Sequence, residues 1–117
     1  MCGMMKERIS RSKVYRTLSP YQKILVWLYY AENELKGHNP PLIKLSELTG
    51  LSKPTLRKYI DELEYLGYIR TRMVKIPKGK EARGAKWTLR IEIADDEARG
   101  YAEYLYKICL RSGEKSL

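Results

Sequence analysis

The stretch Leu45–Ile69, "LSELTGLSKPTLRKYIDELEYLGYI", constrains the fold more than any other part of the chain. Lys44–Thr49 carries Leu45 and Leu48 at helical spacing, and Gly50 ends that short helix. Leu51 is the apolar residue of a tight turn, and Ser52 is the N-cap of a second helix that tolerates Pro54 in its first turn. Leu56, Ile60, Leu63 and Leu66 form that helix's buried stripe, and Gly67 closes it.

Upstream, Ser19-Pro20-Tyr21-Gln22 supplies an N-cap, a proline at the first helical position and the reach-back residue of a capping box. Ile24, Leu28, Ala31 and Leu35 follow at helical spacing, and Gly37 is a natural stop. Leu25, Val26, Trp27, Tyr29 and Tyr30 make this helix apolar nearly all round, which implies a second layer from another helix or another subunit. His38–Pro41 reads as a loop and Leu42-Ile43 as a short extended lead-in.

Downstream, Tyr68–Ile76 turns to β character, and Pro77–Ala85, "PKGKEARGA", is a turn-rich charged tip. Trp87, Leu89, Ile91 and Ile93 alternate with Thr88, Arg90 and Glu92, which completes a β-hairpin with a long basic loop. Asp95 or Asp96 caps a last helix, expected to reach about Leu110. Ala98, Tyr101, Ala102, Leu105, Ile108 and Cys109 lie on one of its faces.

Charge sharpens the picture. The net charge is +9 over 117 residues, which calls for an acidic partner. Residues 1–18 carry five bases and one acid, and residues 68–93 carry eight bases and two acids, whereas 19–67 balance at six and six. Residues 1–18 show no firm period and read as a basic arm, either a disordered tail or a segment that orders on a partner. The helix after Ser52 is charged backwards, with Lys53, Arg57 and Lys58 first and Asp61, Glu62 and Glu64 last. A helix macrodipole favours the opposite order, each misplaced charge costing about 0.3–1 kcal/mol. Phosphates at the helix N-terminus would reverse that balance.

Helix, short helix, turn, helix and basic hairpin is the order of a winged helix-turn-helix. The segment Leu45–Ile69 resembles the helix-turn-helix and following strand of MarR-like and ArsR-like regulators in its apolar positions, its turn Gly50 and its Leu66-Gly67-Tyr68-Ile69 exit. Small winged-helix regulators of archaea, their plasmids and viruses are similar in size. The resemblance covers roughly residues 19–93 and implies an α+β, mostly helical fold: a three-helix core, a hairpin wing and an additional C-terminal helix over 94–117. It also implies a third helix seated in the major groove of double-stranded DNA, N-terminal residues first. Arg57 would then read guanine through its two-pronged guanidinium, and Ser52, Thr55 and Lys58 would hold phosphates, with Lys53 and Pro54 on the same exposed face. Lys75, Lys78, Lys80, Arg83 and Lys86 around the wing would lie along the backbone or in the minor groove. The expected function is a sequence-specific DNA-binding regulator, dimeric through its first and C-terminal helices. The alternatives are a low-specificity architectural or replication-associated DNA binder and a protein–protein winged-helix module.

Other classes fit poorly. His38 is the sole histidine and Cys2 and Cys109 are the only cysteines, so no metal set, disulfide framework or histidine-based triad is expected. ArsR-like metal sensing therefore does not carry over, and no cofactor is implied. Gly79 and Gly84 have P-loop spacing, but Ala85 stands where the lysine should be. The apolar run Ile24–Ala31 is too short to span a bilayer, and the N-terminus lacks the apolar core of a signal peptide, so a cytoplasmic protein is expected. One Gln and two Asn against abundant Lys and Glu lean toward a thermophile.

Overall fold

In the computed structural model, residues 2–34, 42–76 and 86–115 are described, with side chains over 6–34, 42–74 and 89–111. The elements run α1 (Cys2–Arg11), α2 (Lys13–Thr17), α3 (Pro20–Glu34), α4 (Leu42–Thr49), α5 (Lys53–Tyr65), β1 (Ile69–Ile76), β2 (Lys86–Ile93) and α6 (Asp96–Lys115). The class is α+β and mostly helical, with a single antiparallel hairpin among the described residues.

α3 is the central element. Its capping box forms as the sequence predicts: Gln22 N donates to Ser19 Oγ at 3.3 Å, and Ser19 N donates to Gln22 Oε1 at 2.9 Å. Seven of its side chains, Ile24–Leu28, Tyr30 and Ala31, are buried. The second layer such a helix requires comes from the same chain. α6 packs along α3, and α4, α5 and β2 pack around the rest of it. Of the two sources the sequence leaves open for that layer, another helix supplies it. α6 buries Ala98, Ala102, Leu105, Tyr106 and Cys109, while Tyr101 and Tyr104 remain exposed.

The sequence reading differs most from the structure in residues 1–18. Instead of a loose arm, α1 and α2 fold onto α6. Ile9 and Tyr15 are buried, and Ser12, fully buried between the two helices, caps α2 by accepting from Tyr15 N at 3.3 Å. Tyr15 is clasped from two sides. Trp27 Nε1 donates to its hydroxyl at 2.7 Å, and that hydroxyl donates to the Leu48 carbonyl at the end of α4 at 3.4 Å. A few apolar residues placed to cover α3 and α6 outweigh the absence of a long period.

Two boundaries also move. Leu42 and Ile43 begin α4 instead of an extended lead-in, and α6 runs to Lys115, past Leu110. Asp95 caps α6 by accepting from Ala98 N at 2.9 Å. The predicted stop at Gly37 and the loop at His38 lie outside the described residues.

Gly67 ends α5 at φ +89°, with Tyr68 N donating to Leu63 O at 3.0 Å and Gly67 N to Glu64 O at 3.1 Å. That pair of bonds is a Schellman closure. A Cβ at Gly67 would meet nothing within 4 Å, so only the left-handed backbone penalises a side chain there. Gly67→Ala is expected to destabilise the fold by about 1–2 kcal/mol, read as a lower urea midpoint with unchanged slope.

Burial also shapes the response to alkali. The Cys109 thiol is pushed up from 9.0 to about 11 by desolvation. Tyr106 and Tyr15 are raised chiefly by burial, and Tyr21 chiefly by its hydrogen bond to Glu62. The folded chain thus keeps protons that the unfolded chain gives up. Its stability is full below the unfolded thiol value of 9.0 and is lost as pH rises through the folded values. Urea midpoints are expected to be level up to that pH and to fall above it.

Candidate nucleic-acid interface

α5 is held from behind and open in front. Leu56, Ile60 and Leu63 are buried, whereas Leu66, expected to continue the stripe, is exposed as the C-cap, and Tyr59 packs edge-on against Tyr21 of α3 at 4.8 Å between ring centres. The turn before it is pinned by several bonds. Gly50 takes φ +77° and donates to Ser46 O at 2.9 Å, Ser46 Oγ donates to Leu51 O at 2.5 Å, and Leu51 N donates to Thr49 Oγ1 at 3.3 Å. The direction in which α5 leaves α4 is thereby fixed.

Ser52, Lys53, Pro54, Thr55, Arg57 and Lys58 are all exposed along the first half of α5, so the structure brings this part of the sequence-predicted set together on one open surface. Lys53 and Lys58 have no ion-pair partner among the described residues. Arg57 Nε lies 3.3 Å from Asp61 Oδ1, with both side chains about half exposed. Such an exposed pair contributes at most about 0.5 kcal/mol, so a stronger acceptor can draw Arg57 away.

The hydroxyls are less free than the sequence suggests. Ser52 Oγ accepts from Thr55 N at 3.4 Å and donates to Thr55 Oγ1 at 2.9 Å. Ser52 is thus committed as the cap, and Thr55 keeps only its own proton to offer. Leu56 N donates to Ser52 O at 2.8 Å and Pro54 has no N–H, which leaves Lys53 with the one uncommitted amide of the first helical turn. An anion at this end would be held by side-chain cations more than by backbone.

The backward charge order has a partly internal cause, which the sequence does not disclose. Glu62 accepts a hydrogen bond from the Tyr21 hydroxyl of α3. Glu64 accepts from Thr71 N at 2.9 Å and from Thr71 Oγ1 at 2.8 Å, tying the end of α5 to β1. Two of the three late carboxylates are therefore fold contacts. Among the described residues, Lys53 and Lys58 have no ion pair, and Arg57 is paired only within α5, with Asp61.

The hairpin pairs Ile69 with Ile93, Thr71 with Ile91 and Met73 with Leu89 on one face, and Arg70 with Glu92 and Arg72 with Arg90 on the other. Burial fades outward, from Ile69 at 1% to Met73 at 55% exposed. Near the base the arginines are already engaged. Arg70 donates to the Ala94 carbonyl, while Arg72 and Arg90 approach Glu92 Oε1 at 3.2 and 2.9 Å. Lys75 and Lys86 occupy neighbouring rungs at the outer end, and Lys78, Lys80 and Arg83 lie outside the described residues.

An open cleft of about 570 Å³ at the hairpin base is lined by Glu32, Arg70, Arg90, Glu92, Asp96 and Arg99, among others. Its charges largely cancel, with Arg99 bound to Glu32 at 3.2 Å and to Asp96 at 2.9 Å. It offers no single-sign field to a phosphate or a cation. Among the described residues no group of His, Cys, Asp and Glu is arranged to hold a metal ion, and no helix is long and apolar enough to cross a membrane.

No family model, curated protein or solved structure matches the chain.

Proposed function

We propose that the chain is a winged helix-turn-helix protein that binds double-stranded DNA in a sequence-specific manner and regulates transcription, with α5 in the major groove and the β1–β2 hairpin as wing. The observation that carries this reading is the front of α5. Lys53, Arg57 and Lys58 stand exposed on the first half of α5, with Lys53 in the first turn, where the macrodipole disfavours a cation, while the opposite face is locked to α3. A helix is narrow enough to enter the major groove, and Arg57 can exchange Asp61 for the two acceptors of guanine. Lys53, Lys58 and the Thr55 hydroxyl suit phosphates.

Selection of bound fragments from a random duplex pool tests the reading. A consensus should emerge, and loss of Arg57 should relax it at one position. A pool that never enriches would reject sequence-specific binding.

One observation favours a second reading, a low-specificity backbone binder. With Ser52 committed as a cap and Arg57 already paired, few side chains on α5 are free to read bases. A backbone binder would show the same steep salt dependence on every duplex, whereas a specific one keeps a large preference for its site. Duplex affinity unchanged in Arg57→Ala would point instead to a protein–protein module.

A further inference from the structure

We propose that the outer face of α2 is a second phosphate-contacting surface, carried by Lys13 and Arg16, which extends the DNA footprint beyond α5. The inference rests on the DNA-binding reading above and names a further element of the same interface.

The Tyr15 hydroxyl bridges Trp27 Nε1 at 2.7 Å and the Leu48 carbonyl at 3.4 Å. Leu48 stands in the last turn of α4, four residues before Ser52. Through Tyr15, α2 is thus tied to the end of α4, while its backbone packs on α6 and α1.

Orientation follows from helix geometry. At about 100° per residue, Val14, Tyr15 and Leu18 share one side of the turn, and Lys13, Arg16 and Thr17 share the other. The structure obeys this division. Tyr15 is buried, Val14 and Leu18 pack against the core, and Lys13, Arg16 and Thr17 are exposed.

The charges on this face are also uncommitted. No ion pair among the described residues involves Lys13 or Arg16. By contrast, Arg11 pairs with Glu7 at 4.0 Å, and Arg8 donates to the Leu110 carbonyl at 3.4 Å. Lys23 adds a third cation nearby, its ammonium 5.2 Å from the centre of the Tyr15 ring. A five-residue helix would not persist alone, but here the buried Ser12 cap and Tyr15 hold it in place. The backbone carrying the two cations is therefore already ordered before a partner arrives, so little further ordering is needed on binding.

The test uses the full chain and its Lys13→Gln/Arg16→Gln variant, titrated with duplex DNA over a range of salt. Each lost phosphate contact lowers the slope of log K against log salt by about 0.9, so a decrease of about 1.8 is expected. The decrease should be equal on preferred and arbitrary duplexes, because phosphates carry no sequence information. An unchanged slope would overturn the inference while leaving the role of α5 intact. A wild-type chain with no duplex affinity would remove both readings. Should the variant fail to fold, acylation of Lys13 in the wild-type chain decides: protection by saturating duplex supports the contact, and unaltered reactivity rejects it.

Discussion

Trp27→Ala is expected to destabilise the fold by about 3–5 kcal/mol, the largest stability loss of any substitution considered for this chain. Trp27 is fully buried at the centre of α3, and its ring meets Tyr15 and Tyr30 edge-on at 5.8 and 5.5 Å. Truncation forfeits those contacts, leaves a cavity that α3 cannot close, and removes the donor to the Tyr15 hydroxyl. A small domain has about 5–15 kcal/mol in total, so the variant would sit near its unfolding threshold. Urea unfolding followed by circular dichroism measures the loss. Trp27→Phe separates the parts. It keeps one six-membered ring of packing while losing the N–H and part of the indole volume, and since Tyr15 can still donate to Leu48 O, it should cost less. Equal costs for the two variants would show that the hydrogen bond, and not the filled volume, dominates at this position.

The second large effect concerns binding. Arg57→Ala should weaken the preferred duplex by about 1–3 kcal/mol, roughly fivefold to 150-fold, and weaken arbitrary duplexes much less. Its ion pair with Asp61 is half exposed, so its loss should leave the urea midpoint nearly unchanged. Asp61→Asn should act in the opposite direction. It frees Arg57 and removes a carboxylate that repels phosphate, so affinity should rise a few-fold on any duplex. Fluorescence anisotropy with labelled duplexes reads both. A uniform loss across sequences in Arg57→Ala would make Arg57 a phosphate contact instead of a base reader.

The middle of the chain was legible because its punctuation is local. Ser52, Gly50 and Gly67 each act through bonds within a few residues, and each caps or stops a helix where the sequence places it. The open face of α5 followed from the same spacing. What escaped notice depends on partners distant in sequence. Ile9 and Tyr15 are single apolar residues in a cationic stretch, and nothing local says that α3 and α6 will bury them. A signal was nonetheless present, since Ser12 precedes a turn whose Val14, Tyr15 and Leu18 share one side. Leu42 misled because two adjacent apolar residues look extended, although Leu42, Leu45 and Leu48 already have helical spacing. The roles of Glu62 and Glu64 were hidden for the same reason, since Tyr21 lies 41 residues away from the first and Thr71 belongs to the next element. The second layer around α3 was open between another helix and another subunit for the same reason, since its partner α6 begins at Asp96, more than 60 residues after α3 ends at Glu34.

The grip of Glu64 on Thr71 has a mechanical consequence. With the backbone amide and the hydroxyl of one strand residue bound to one helix carboxylate, a tilt of α5 is coupled to the root of the hairpin. On the proposed DNA-binding reading, the angle between them is largely set before a duplex arrives, and Thr71→Val, which removes the hydroxyl's share of the contact, should loosen it.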